Sequence, residues 1–241
     1  METNNLGRAG ASFVRACKKI KWDGDDTVQI VSLDPIIRSL KHLHPLDGYV
    51  YETYLPQSIG FSDCCTPYVR ESTLPNLDKS AIVFDPKTHS ERLPSGYYRV
   101  WEKIGYEFTE ECIWELFLLT DLVCHLPKFW HGNYAAVTYF LQTGGLDNII
   151  KCAEREDYPE RILGFKYKNG YSKLCKLNQD ASLLPQVTLL SESEASIHFA
   201  AWNDWSGLME VTVKVTRSNN TVSFGKKQLK DLVKYHCGLV F

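Results

Sequence analysis

The amino-acid sequence predicts an α+β fold in which an N-terminal mixed helix/strand part packs on a C-terminal antiparallel sheet. Between Ala195 and Val215 apolar and polar side chains alternate on both sides of an aromatic turn. Met209, Val211, Val213 and Val215 take one parity and Glu210, Thr212, Lys214 and Thr216 the other, the period of two that marks a strand with one buried face. Asn169-Gly170 is the preferred pair for a type I′ turn. It predicts a hairpin that opposes Lys168 to Tyr171, Tyr167 to Ser172, Lys166 to Lys173 and Phe165 to Leu174. Helical spacing dominates the chain before Pro159 and strand spacing follows it. The expected boundary lies at about 157/158, with a mixed part over 1–157 and an antiparallel part over 158–241. No Ser- or Gly-rich spacer separates the two, which favours one continuous domain.

Taken in order, residues 1–9 are polar and expected to fray. Phe13, Val14, Cys17 and Ile20 form one stripe of a short amphipathic helix over 11–20. Residues 27–33 read as a strand. Asp34 before Pro35 then supplies an N-cap and a first-turn proline, and Ile36, Ile37, Leu40 and Leu43 give a helix its buried face until Pro45 ends it. A second strand is expected at 49–55. Residues 56–80 look irregular, with Pro56, Pro67 and Pro75 breaking any ladder, and a loop of that length is functional more often than most. Strand patterns return at 81–84 and 97–104, as a hairpin with a long connection.

Thr109 with Glu110 and Glu111 behind it starts a helix, the acids sitting where the N-terminal partial positive charge favours them. Its apolar surface through Trp114 and Phe117 to about 124 is broad enough for a central helix, and Pro127 breaks it. Further helices are expected over 134–141, stopped by Gly144 and Gly145, and over 146–153. Strands follow at 187–190, 195–202, 208–217 and 221–224, the last two joined by a turn at 218–220. The apolar end from 234 to 241 reads as a terminal strand.

Composition narrows the function. A chain of 241 residues with 44% hydrophobic and 12% aromatic residues can bury a sizeable core. A net charge of -2 from 27 basic and 29 acidic residues gives no global field toward nucleic acid or an anionic membrane. No apolar run approaches a membrane span. The first twenty residues carry Arg8, Arg15, Lys18 and Lys19 without the pattern of an export signal. Of the eight cysteines, Cys17, Cys112, Cys124, Cys152 and Cys175 lie in apolar segments, where reduced thiols pack as small hydrophobes, so a reducing cytoplasm is expected.

The chemistry-bearing residues are sparse. Zinc ligands usually come in pairs such as Cys-x-x-Cys, whereas here His42 and His44 are two apart and Cys64-Cys65 and Cys124-His125 are adjacent, so no metal is expected. Nucleotide, dinucleotide, serine-hydrolase and zincin motifs are absent, and no cofactor is implied. Glu110-Glu111 and Glu154-Glu156-Asp157 read as solvated helix faces. The one enzymatic alternative places Cys64 or Cys65 as a nucleophile with His131 or His125 as its base. The aromatic run Phe129, Trp130, His131, Gly132, Asn133 and Tyr134 is read as a loop packed over a core. Lys166, Lys168 and Lys173, interleaved with Tyr167 and Tyr171, could meet an acidic protein surface or only protect a sheet edge.

Trp202-Asn203-Asp204-Trp205-Ser206-Gly207-Leu208, followed by an alternating strand and a terminal Tyr235-His236-Cys237-Gly238-Leu239-Val240-Phe241, resembles the ending of small cytosolic bacterial proteins that accompany toxin and immunity loci. The resemblance covers about a fifth of the chain and carries over no catalytic residue. Asn203-Asp204 and Ser206-Gly207 suit a turn that Trp202 and Trp205 anchor. The absence of catalytic motifs points to a non-enzymatic module that binds another protein, an immunity-type inhibitor or a subunit of a bacterial defence or secretion-associated complex. Lys166, Lys168, Lys173, Trp202 and Trp205 are its candidate contact residues, with nucleic acid and membrane not expected as partners.

Overall fold

The computed structural model describes residues 1–20, 29–55, 66–78, 83–85, 90–126, 137–153, 164–165, 170–219 and 221–236. Its first half contains α1 (Asn5–Cys17), β1 (Gln29–Ser32), α2 (Asp34–Ile37), β2 (His44–Pro45), β3 (Tyr49–Leu55) and β4 (Thr66–Glu71), then β5 (Val83–Asp85), β6 (Ser90–Arg92), β7 (Tyr97–Tyr98), β8 (Ile104–Gly105) and α3 (Glu110–Thr120). The second half contains β9 (Thr138–Tyr139), α4 (Asp147–Ala153), β10 (Gly164–Phe165), α5 (Gly170–Leu177) and β11 (Gln186–Leu189), then β12 (Glu194–Asn203), β13 (Gly207–Ser218), β14 (Thr221–Phe224) and β15 (Gln228–His236). The fold is α+β. No helix among the described residues is long and apolar enough to cross a membrane.

Two compact units divide the chain. One comprises Met1–Ala11, Phe108–Trp114 and Asn133–Phe241, the other Ser12–Glu107 and Glu115–Gly132. The expected boundary at 157/158 lies outside the described residues.

In the first unit a seven-stranded sheet runs β10-β15-β13-β12-β11, with β14 also on β13 and β9 also on β12. β12 and β13 form its long central hairpin, from Glu194 opposite Thr216 to Asn203 opposite Gly207. The predicted parity of β13 holds at Val211, Val213 and Val215, all buried, with Lys214 exposed between them. One face of the sheet meets the start of α3, where Trp114 packs edge-on to Phe199 at 5.6 Å. The other face is also buried at one end. Ala200, Trp202, Leu208 and Val233 join Leu146 and Leu174 in a second core, so the expectation of a single buried face fails there. At Leu208/Met209 the ladder to β15 shifts register, leaving Leu232 unopposed.

The turn between β12 and β13 forms where Asn203 and Gly207 were expected to place it. The Asn203 Oδ1 accepts the Trp205 N–H at 2.9 Å. Gly207 has φ of 87°, and a Cβ there would run into the Val233 carbonyl, so only glycine fits.

Gly170–Leu177, predicted as the second strand of a hairpin turning at Asn169-Gly170, is helix α5, and residues 166–169 of that hairpin lie outside the described residues. Gly170, Leu174 and Asn178 are buried at a spacing of four, and that helical period over a full face outweighs a two-residue turn preference. The helix expected over 134–141 is likewise replaced at Thr138–Tyr139 by β9, whose residues pair with Trp202 and Ala201. The terminal strand begins at Gln228, earlier than 234, and residues 237–241 lie outside the description.

The N-terminal residues do not fray. Helix α1 starts at Asn5, and Asn4 caps it by accepting the Gly7 N–H on its side chain at 2.8 Å while donating to the Pro185 carbonyl at 2.7 Å. Glu2 N–H donates to Thr143 Oγ1 at 2.6 Å, and Thr3 Oγ1 donates to the Leu141 carbonyl at 2.9 Å. The helix predicted from 11 therefore begins six residues earlier, held by partners far away in sequence.

The second unit holds a four-stranded sheet, β1-β3-β4-β7, and two short ribbons, β2-β8 and β5-β6. β4 falls within the stretch expected to be irregular. Pro67 is tolerated in it because the Glu71 N–H bonds to the Gly96 carbonyl on the β7 side, which puts the nitrogen of every odd residue on that side, and β7 reaches only Val69 and Arg70. The hairpin expected from 81–84 and 97–104 is instead β5 with β6, and 97–104 splits into β7, a 3-10 turn at Val100–Lys103 and the start of β8. Helix α2 is one turn long, with Leu33 and not Asp34 at its N-cap position, yet Ile36, Ile37, Leu40 and Leu43 are buried as expected. Its extension toward Pro45 is prevented by Glu115 of α3, whose carboxylate takes the N–H groups of Lys41 at 2.9 Å and His42 at 2.8 Å.

Candidate functional site

Of the sequence-predicted site residues, Lys173, Trp202, Trp205 and the alternative base His125 fall among the described residues. Cys64, Cys65, His131, Lys166 and Lys168 lie outside the described residues. Lys173 is exposed on α5 instead of on a hairpin strand. Trp202 is a core residue, 2% exposed, with its ring 5.0 Å from that of Tyr235 and its indole N–H donated to Asp204 at 2.7 Å. It therefore offers a partner almost no surface in this fold. Trp205 is half-buried in the turn.

His125 packs edge-on to Phe13 at 5.7 Å. Cys17 and Cys112 are buried free thiols, and burial pushes the Cys17 thiol up to about 12, out of reach of the thiolate. Cys152, expected among apolar neighbours, is exposed. The described residues hold no cluster of three or more histidines, cysteines and acids fit for a metal ion.

Three polar arrangements were not anticipated from the sequence. Glu115 is 1% exposed, and desolvation raises its carboxyl above the ordinary value against the pull of its backbone donors. Both oxygens are occupied by the 41–42 turn, so it acts as a capping group. On the polar face of the long hairpin, His198 Nε2 lies 2.9 Å from Glu210 Oε1, and Lys230 donates to Glu210 Oε2 at 2.7 Å. These bonds hold the Glu210 carboxyl below the usual range, on an open sheet face. In the second unit Lys103 sits 4.1 Å from the Tyr98 ring centroid and 5.4 Å from that of Tyr49, a cation already engaged by its neighbours.

The edge of the seven-stranded sheet offers more. β11 pairs with β12 from Gln186 opposite His198 to Leu189 opposite Ala195. The Leu190 N–H donates to the Glu194 carbonyl at 2.8 Å, which sets the phase of the ladder. By alternation Thr188 and Gln186 also bond to β12, so Val187 and Leu189 direct their N–H and C=O groups away from it, Leu189 at an exposed position and Val187 at a buried one, 6% exposed. No bond among the described residues takes up those groups.

β11 and the first turns of α1 and α3 together line a groove of about 500 Å³. Asn5, Arg8, Glu110 and Glu111 line its far wall and Val187 and Thr188 its near one. Leu189 and Leu190 next to it are 43% and 60% exposed.

The opposite side of the sheet is protected by contrast. β15 and its approach carry Lys226, Lys227, Lys230, Asp231 and Lys234, with the register shift at Leu232, and β10 covers its end. Charges and bulges of this kind discourage strand addition. β11 has neither, since Gln186, Val187, Thr188 and Leu189 are all uncharged and pair in unbroken register. A sequence signal for it existed in the uncharged run from Pro185 to Ser191, but nothing local shows which strand is outermost. No protein-family model matches the chain, and neither a curated protein nor a solved structure matches it.

Proposed function

We propose that this chain is a non-enzymatic protein-binding module that receives a segment of its partner along β11. The observation that supports the reading is the uncharged edge strand: backbone groups of Leu189, and of the buried Val187, left without partners among the described residues, with a groove lined by Val187 and Thr188 and two exposed leucines after it. An edge of this kind is a template for another strand, with main-chain bonds giving affinity and alternate side chains giving specificity. The finer reading is a cytoplasmic immunity-type inhibitor or a subunit of a bacterial defence or secretion-associated complex. It rests on the resemblance carried by Trp202–Leu208 and the run from Tyr235 to Phe241. Exposed Lys173 would then act on a partner only through longer-range steering.

Co-expression with the products of neighbouring genes tests both levels. A stoichiometric complex that survives moderate salt and is lost in Val187→Pro is expected, since proline removes an outward N–H that the β12 ladder does not use. Relief of a neighbouring toxin by the chain would support the immunity reading. A protein that purifies alone at every salt concentration, with no neighbour relieved, overturns the proposal.

A further inference from the structure

We infer that the occupant of the β11 groove is an extended protein segment that pairs its backbone with Val187 and Leu189 and sets a lysine or arginine against Glu110 and Glu111. The inference rests on the protein-binding reading above and names the chemistry of the partner. Two occupants compete for an open strand edge, a single strand from another protein and the same edge of a second copy. The groove decides between them. Its lining joins β11 to the first turns of α1 and α3, so an occupant meets the charged groups of those turns as well as the strand. A second copy docked across a two-fold axis would bring two acids, Glu110 and Glu111, for each Arg8, leaving an excess of like charge in the interface.

The charge of the wall specifies the segment. Glu110 and Glu111 have no ion-pair partner among the described residues, and the one cation in the lining, Arg8, gives its guanidinium N–H to Asn5 Oδ1. The acids gain some stability from the α3 N-terminus, which accounts for their place in the helix and leaves their outer oxygens open to a ligand cation. A strand added to β11 presents alternate side chains to opposite faces, so a basic residue toward the helix turns leaves its neighbours over Thr188 and the solvent. Apolar residues further along would cover Leu189 and Leu190.

Fluorescence anisotropy with short labelled peptides tests this. The probes are an alternating valine-threonine peptide with one central lysine, its twin with glutamate there, and the lysine peptide N-methylated at alternate residues. The lysine peptide should bind about ten-fold more tightly than the glutamate twin. The N-methylated form should not bind, and hydrogen exchange should slow at Val187 and Leu189 when the lysine peptide is present. Glu110→Gln with Glu111→Gln, whose fold a thermal melt can verify, should bind both parent peptides alike.

Equal binding of the lysine and glutamate peptides to the unaltered chain, with Val187 and Leu189 still protected, overturns the cation requirement and leaves the protein-binding reading standing. Absence of protection by either peptide overturns the edge as the binding surface too. A concentration-dependent dimer in sedimentation, lost in Val187→Pro, assigns the groove to a second copy and overturns the inference.

Discussion

Glu115 shows what one residue does to its surroundings. It interrupts an apolar run from Cys112 to Leu119 in which every residue is buried, and it stays charged or neutral according to how two backbone donors offset its desolvation. A sequence signal existed that went unread, because an acid inside an otherwise apolar run has to find partners. Which partners it finds was not legible, since Lys41 lies 74 residues away. Its raised folded-state pKa means that the stability linked to this group is fully present below the unfolded value of 4.5 and is lost as pH rises through the folded value. Glu115→Gln should remove that limb. It also turns an amide NH₂ toward one of the two N–H donors, at a cost of about 1–3 kcal/mol for the unsatisfied group. Urea denaturation as a function of pH should therefore show the deficit of the variant largest near pH 4.5 and smaller near neutrality. A deficit that grows with pH would show that Glu115 is held charged in the fold.

At the scale of elements, strands were read from the sequence where burial alternates and misread where both faces or a helix intervene. β3, β11, β12, β13 and β14 lie within a residue or two of their predicted bounds, and in the long hairpin the alternation shows directly, with Ala195, Ile197, Phe199, Val211, Val213 and Val215 buried. Leu208 breaks the alternation of β13 because its face meets the core that contains Leu146 and Leu174, which no single strand pattern can reveal. The α5 region failed for the opposite reason, a local turn pair overruled by a helical face. The remaining parity is testable. Val213 is fully buried, so Val213→Asp leaves an unpaired charge in the core and should cost about 3 kcal/mol or more. Lys214 pairs with Glu194 at 2.8 Å, but its side chain is 63% exposed, and Lys214→Ala should change stability by less than about 1 kcal/mol. Denaturant midpoints for the two variants would check the difference, and comparable losses would mean that β13 does not bury its odd residues.

Across the whole chain, the α+β class was legible and the assignment of residues to units was not. Periodicity reports which face of an element is buried but not by what, so nothing in the polar stretch 1–9 announces that it is tied to residues 141–143 and 185. The same hidden connection places the first turn of α1 across the groove from β11, which is why the candidate site could not be assembled from motifs. Gly7 provides the sharpest test of this arrangement. In an exposed helix Gly→Ala gains roughly 0.5–1 kcal/mol from backbone entropy. Here a Cβ on Gly7 would run into the backbone carbonyl oxygen of Leu141, which cannot swing aside as a flexible side-chain end could. Overpacking against it should cost about 1–3 kcal/mol and reverse the sign, so that Gly7→Ala lowers the urea midpoint. Because the displaced helix turn also carries Asn5 and Arg8, the same variant should weaken any ligand bound along β11. A Gly7→Ala chain more stable than the parent would show that α1 does not lie against residue 141, and it would remove the far wall of the groove with it.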